Sequence, residues 1–241
     1  MRPPLKAVRD ALTGFVPPRL YWELRAAWRP MRAIIGRDDA RLHLASGEEC
    51  VTLMDRLGLL AGCRTTLGIG VGGGRVEHWL APRVGRCCGV DISLGMARLA
   101  VKNVGAKNAL VVVGSGGDLA CFRERAFDLV YSFIVFQHVG DGKVRGYFRE
   151  TARVLQPGGA FLFQIAVEPG RRRRFVPFRE RHPYAIRWRT VEDVWRWLAE
   201  SGLTPERLVG PCGEPLAREE VAAAGDQSIM VVARKPGSGR S

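Results

Sequence analysis

The sequence predicts a doubly wound α/β sheet preceded by amphipathic helices. Three observations predict it. From residue 65 onward, short apolar runs alternate with helical stretches. A glycine run separates the first such strand from the first such helix. The chain has 241 residues, 46% of them hydrophobic, enough to cover both faces of a parallel sheet. Alternation of strands and helices implies βαβ units, and right-handed crossovers wind them in both directions from the first strand.

The elements follow in order. Leu5, Val8, Leu12 and Phe15 recur at helical spacing, and Pro17-Pro18 stops that helix. A second segment places Tyr21, Leu24, Trp28 and Met31 on one face, with Pro30 near its end. A loop then leads to a helix with Ser46 as N-cap, Glu49 as capping-box partner, and Val51, Met54, Leu57 and Leu60 as its apolar side. The alternating region reads strand TTLGI, glycine turn Gly70 to Gly74, helix RVEHWLA, strand CCGVDI and helix SLGMARLAVKN, capped by Ser93. Strand ALVVV, loop GSGGDLACFRER, strand FDLVYSFIVF, helix GKVRGYFRETARVL closed by Pro157-Gly158-Gly159, and strand AFLFQIA come next. An Arg- and aromatic-rich insert at 167–189 precedes a helix capped by Thr190, with Val194, Trp197 and Leu198 inward. SIMVVARK is the final strand. The expected division is a basic helical extension at 1–41, one domain at 42–235, and a disordered tail at 236–241.

The net charge of +13 is concentrated. Residues 1–41 carry nine Lys/Arg against four Asp/Glu, and residues 171–189 carry eight Arg against one Glu. No apolar run approaches the roughly 20 residues of a membrane span. Charges at Lys6, Arg9 and Asp10 break any secretory h-region, so a cytoplasmic location is expected. The six cysteines make no C-x-x-C pair and read as reduced, packed thiols, with Cys87 and Cys88 on opposite faces of a strand. His43, His78 and His182 lack metal-ligand spacing, so no metal is expected.

The glycine turn is ambiguous by itself. Gly68-x-Gly70-x-x-Gly73 matches a dinucleotide fingerprint, whereas Gly70-x-Gly72-x-Gly74 matches a nucleoside-binding turn. Asp91 ends the next strand, placed to accept both hydroxyls of a ribose. Further segments decide: LGIGVGGGR, VDIS, GSGGDL, FDLVYS, FQHV, RVLQPGG and TVEDVWRWLAESGL, in that order. Together they resemble the class I S-adenosylmethionine-dependent methyltransferases, over about 42–165 and 190–235. The resemblance implies a Rossmann-like, mostly parallel seven-stranded sheet with an antiparallel last strand, and S-adenosyl-L-methionine as methyl donor.

The resemblance also implies roles. Gly70 and Gly72 pass close to the methionine part, Asp91 holds the ribose diol, and Ile92 packs on the adenine. Asp118 accepts from the adenine amino group, the Leu119 N–H contacts the ring, and Phe133 lies near the reacting sulfur. Two positions depart from the family pattern: Gly68 and Ser115 stand where acids are common. They motivate a second hypothesis, a catalytically degenerate binding protein. His138 is the candidate general base, ahead of Gln137, Tyr131 and Glu168. Three readings of the basic segments stand open: a cover over a small acidic or aromatic acceptor, a nucleic-acid surface, and an anionic-membrane patch.

Overall fold

The computed structural model describes residues 16–168, 185–210, 212–223 and 227–237. The helix expected on Leu5 to Phe15, the run Arg171–Arg174, and Phe175, Phe178, His182 and Tyr184 lie outside the described residues. So does the tail beyond 237.

Three helices come first: α1 (Pro18–Trp28), α2 (Pro30–Ile35) and α3 (Ala40–Arg56). Then follow β1 (Thr65–Ile69), α4 (Arg75–Leu80), β2 (Arg86–Asp91), α5 (Leu94–Val104), β3 (Ala109–Val113) and β4 (Phe127–Ser132). The remainder is α6 (Asp141–Val154), β5 (Leu155–Val167), α7 (Val191–Glu200), β6 (Thr204–Val209), β7 (Pro215–Leu216), α8 (Arg218–Ala223) and β8 (Gln227–Arg234). The strands form one sheet in the order β3-β2-β1-β4-β5-β8-β6-β7. β1 to β5 are parallel, and β8 runs antiparallel between β5 and β6. Strand order reverses at β1 and β4, so a crevice opens at their carboxyl ends.

This is the expected doubly wound fold, with one strand more than the seven expected. The extra strand is β7, two residues that hairpin back on β6 through Leu208↔Leu216 and Val209↔Pro215. It was invisible to periodicity because two residues carry no alternation. The sheet buries an apolar layer on each face. Phe136, Phe148, Phe161 and Phe163 centre one layer, and Met54, Leu80, Leu129 and Leu162 centre the other. Cys88 belongs to the first layer and Cys87 to the second, as alternation in β2 requires. All six cysteines are free thiols. No described helix is long and apolar enough to cross a membrane.

Several local expectations change. Asp39, not Ser46, caps α3, accepting from the N–H groups of Arg41 and Leu42. Ser46 sits mid-helix and its hydroxyl donates to the His43 carbonyl. The helical pattern extends further upstream than the apolar residues alone suggested. On α1, Tyr21 is buried but Leu24 and Trp28 are exposed, so the expected stripe does not face the core. The chain breaks at Arg29 and Pro30 starts a new helix. β4 ends at Ser132, because Ile134 takes a left-handed conformation (φ 61°). β5 begins at Leu155, before the Pro-Gly-Gly sequence, with a register shift against β4 at Phe127/Leu129. Ser93 and Thr190 cap α5 and α7 as expected, accepting from Met96 and Asp193.

Candidate active site

A cavity of about 510 Å³ lies at the carboxyl ends of β1, β2 and β4. That is within the roughly 300–1,000 Å³ of small-molecule sites. Its floor is the glycine turn. Gly70 needs its left-handed φ of 71°, and a Cβ there would strike Val135 Cγ2 at 2.4 Å. The Gly70 N–H donates to the Val90 carbonyl at 2.7 Å, which stitches the turn to β2. Arg75, at the start of α4, points backward. Its Nη1 donates to the Ser46 carbonyl at 2.6 Å and reaches Cys50 Sγ, so α3 braces the turn from behind.

Asp91 closes β2 beside this turn. Its Oδ2 accepts the Gly72 N–H at 2.8 Å, and its Oδ1 accepts the Ser93 N–H at 2.9 Å. Burial raises its pKa, while the N–H groups of Ser93, Gly72 and Ile92 hold it down. A carboxylate has about four acceptor sites, so two remain for a ligand. Gly70, Gly72, Asp91, Ile92, Phe133 and His138 all line the cavity.

Asp118 and Leu119 do not. The Asp118 carboxylate is turned into its own loop, accepting from the Ser115 hydroxyl at 2.6 Å and from the Ala120 N–H. Leu119 is fully buried, and its N–H donates to Glu150 Oε2. The Leu119 N–H is thus engaged inside the protein, whereas the exposed Asp118 carboxylate, holding two bonds from its own loop, keeps acceptor sites open beside the cavity lining. Gly114 and Gly116 line the cavity in their place, with Ile92 against Gly116.

His138 sits in a 3-10 turn, Phe136–His138. The Gln137 side-chain amide nitrogen, a donor only, is 3.2 Å from His138 Nε2, and His138 Nδ1 is 3.2 Å from the Ala185 carbonyl. That pairing assigns the ring proton to Nδ1 and leaves Nε2 as acceptor. Residues 185–189 are laced to this turn. The Arg187 N–H donates to the Gln137 carbonyl at 2.7 Å. The buried Arg189 guanidinium donates to Phe136, Val139 and Asp141. The end of the basic insert therefore forms part of the cavity wall, with Arg187 in its lining.

Sequence reasoning missed other lining groups. Pro18 and Trp22 of α1 and Ile34 of α2 close one side. α1 is held there by Glu23, whose two carboxylate oxygens accept the Leu94 and Gly95 N–H groups at the start of α5. Glu77 of α4 also lines the cavity, only 2% exposed, and Tyr131 donates to its Oε1 at 2.6 Å. Its signal was an acid on the helix face shared with Val76 and Leu80.

Residues 67–163 match the family model of the methyltransferase domain. That stretch is similar to a methyltransferase domain and covers less than half of the chain. Solved structures share its fold. A S-adenosylmethionine-dependent methyltransferase from Mesorhizobium loti is 23% identical, covering 79% of this chain and 99% of its own, with a TM-score of 0.60. The geranyl diphosphate C-methyltransferase of Streptomyces coelicolor, solved with Mg²⁺, geranyl diphosphate and S-adenosyl-L-homocysteine, is 19% identical, covering 81% and 80%, with a TM-score of 0.61. The [4+2]-cyclase SpnF is 17% identical, covering 80% and 82%, with a TM-score of 0.60. No protein of curated function matches the chain in sequence. The matched stretch thus places its glycine turn, Asp91 and the Phe133–His138 segment around one cavity.

Proposed function

We propose that this chain transfers a methyl group from S-adenosylmethionine to a small acceptor carrying an acidic group. One observation carries the reading. A single cavity joins Gly70, Gly72, Asp91 and Ile92 at one end to Phe133, His138 and Arg187 at the other. Asp91 would hold the ribose diol with its two remaining acceptor sites. Ile92, together with Gly114 and Gly116, would form the slot for the adenine. S-adenosylmethionine, when bound, supplies an activated methyl on a sulfonium. The protein then has to orient the acceptor, which alone contributes about 7–11 kcal/mol to lowering the barrier.

Arg187 supports the acidic acceptor. It lines the cavity, and its Nε is buried without a hydrogen-bond partner among the described residues. A buried guanidinium N–H without a partner favours a carboxylate or phosphate. His138 is the proposed base where the acceptor must lose a proton: an acceptor hydroxyl displaces the Gln137 amide and gives its proton to Nε2. Acceptors that react as anions would not need it.

Calorimetric titration with S-adenosylmethionine tests the first half: saturable binding supports the reading, and silence at millimolar ligand sinks it. Transfer of labelled methyl to a panel of aromatic and aliphatic acids tests the second. Arg187→Met is expected to raise KM for the acids at least about tenfold, the value of one charge-assisted hydrogen bond, without changing cofactor affinity. Retention on heparin or anionic vesicles that weakens steeply as salt is raised would favour a macromolecular acceptor instead, and indifference to both would remove that reading.

A further inference from the structure

The side chain missing at position 68 is replaced in space. Gly68 pairs with Tyr131 across β1 and β4. A Cβ built on Gly68 would lie 2.5 Å from Glu77 Oε1, 2.9 Å from the Tyr131 hydroxyl and 2.9 Å from Val71 Cγ1. The Glu77 carboxylate and the Tyr131 hydroxyl therefore close over the Gly68 α-carbon and occupy what a side chain there would fill. Position 68 must stay bare for Glu77 to be where it is. Tyr131 satisfies Oε1, but Oε2 is buried and has no hydrogen-bond partner among the described residues. An unpaired carboxylate oxygen in a closed site costs more than any neutral polar atom, so it marks a place for a donor that arrives from outside.

We infer that Glu77, projecting from α4 across the bare Gly68, is the anionic seat for the ammonium group of the cofactor's methionine moiety. The inference rests on the S-adenosylmethionine reading above. It removes the reason for treating Gly68 as a lesion, because the charge has moved from the strand to the following helix.

The seat is a titrating one. Burial pushes Glu77 up to about 7, opposed first by the Tyr131 hydrogen bond, then by its own backbone N–H and by Arg75. The ionisable groups around it are Tyr131 on β4, Asp91 and Cys87 on β2, Arg75 on its own helix and Cys50 on α3. Burial raises the Tyr131 hydroxyl well above its ordinary value and takes the Cys87 thiol to about 12, so neither competes near neutrality. An arriving ammonium favours the ionised carboxylate and expels its proton.

Calorimetry on the full chain tests this with two ligands: S-adenosylhomocysteine, and 5′-methylthioadenosine, which lacks the amino-acid portion. At pH 6.5, in two buffers of different ionisation enthalpy, the homocysteine ligand should release about half a proton or more, and methylthioadenosine none. Glu77→Gln keeps the acceptor for Tyr131. It should weaken S-adenosylhomocysteine about 10- to 150-fold and abolish the proton release, with methylthioadenosine affinity unchanged. Equal binding of S-adenosylhomocysteine by parent and variant would overturn the assignment while leaving the cofactor reading intact. Failure of the parent to bind either ligand would remove both. Should the variant misfold and lose both ligands, the parent's own proton release decides: none with S-adenosylhomocysteine overturns the assignment.

Discussion

Arg189 is the residue whose removal should reach furthest, and its cost can be worked from its contacts. The residue is 3% exposed overall. Its Nε donates to Asp141 Oδ1 at 3.0 Å, Nη1 to the Phe136 carbonyl at 2.9 Å and the Arg187 carbonyl at 3.2 Å, and Nη2 to the Val139 carbonyl. The guanidinium also lies 5.9 Å from the centre of the Trp197 ring. Burial pulls its pKa below the ordinary arginine value, with Asp141 opposing. Arg189→Met keeps the length and the apolar stem but strands the Phe136 and Val139 carbonyls. Each lost charge-assisted bond is worth about 1.5–3 kcal/mol. The Asp141 side chain is 46% exposed and rehydrates, so no penalty for a buried lone charge is added. For the two bonds the sum is about 3–6 kcal/mol, a fall in Tm of roughly 6–24 °C for a chain of this size. Differential scanning calorimetry, backed by urea midpoints, measures it. Arg189→Lys should fall between, because an ammonium cannot span three acceptors in one plane. A Tm within about 4 °C of the parent, below the range of the sum above, would refute the claim that this guanidinium anchors the 185–189 wall.

Two further outcomes follow from the same geometry. Asp91→Ala removes the acceptor of both the Gly72 and Ser93 N–H groups, so it should lose S-adenosylhomocysteine affinity and about 2 kcal/mol or more of stability together, read by calorimetry and urea unfolding. The pH dependence of stability has two opposed parts. Glu77, raised from 4.5 to about 7, stabilises fully below the unfolded value, and that share is lost as pH rises through 7. His43 is buried with both ring nitrogens unpartnered and is pushed down from 6.5 to about 4, first by burial and then by Arg75. Its share is present above 6.5 and lost as pH falls towards 4. The slopes cancel between about 4.5 and 6.5. Glu77→Gln should unmask the His43 slope, about 1.4 kcal/mol per pH unit, in urea midpoints taken across that window. A difference between variant and parent that stays constant with pH would show that Glu77 does not titrate there.

The strands and the cofactor turn were legible because they depend on local pattern. The continuous buried run of β2, the glycines with positive φ, and the side-chain caps at Ser93 and Thr190 are each decided within a few residues of chain. Asp91 was readable for the same reason, as the last residue of a strand. The engagement of the Leu119 N–H was not legible, because its partner Glu150 is 31 residues away. Glu77 was hidden differently. Its role depends on the emptiness of Gly68 and on Tyr131, which meet only when β1 pairs with β4. The wall from α1 and α2 escaped notice because Leu24 and Trp28 suggested the wrong face, while Trp22 and Ile34 do the lining.

The cavity is enclosed by two kinds of wall. One is built on β1, β2 and β4 and can open only if the sheet comes apart. The other is α1 and α2, tied to the domain through Glu23 at the first turn of α5. Glu23 is half-buried and its tie to the Leu94 N–H lies at the surface, so detaching these helices is expected to need only a local opening smaller than global unfolding. A ligand in the cavity would then have an exit that leaves the fold standing, with Glu23, remote from the chemistry, as its latch. Shortening that tie to Asp, or neutralising it to Gln, changes how long a ligand stays before it changes how well the site fits it.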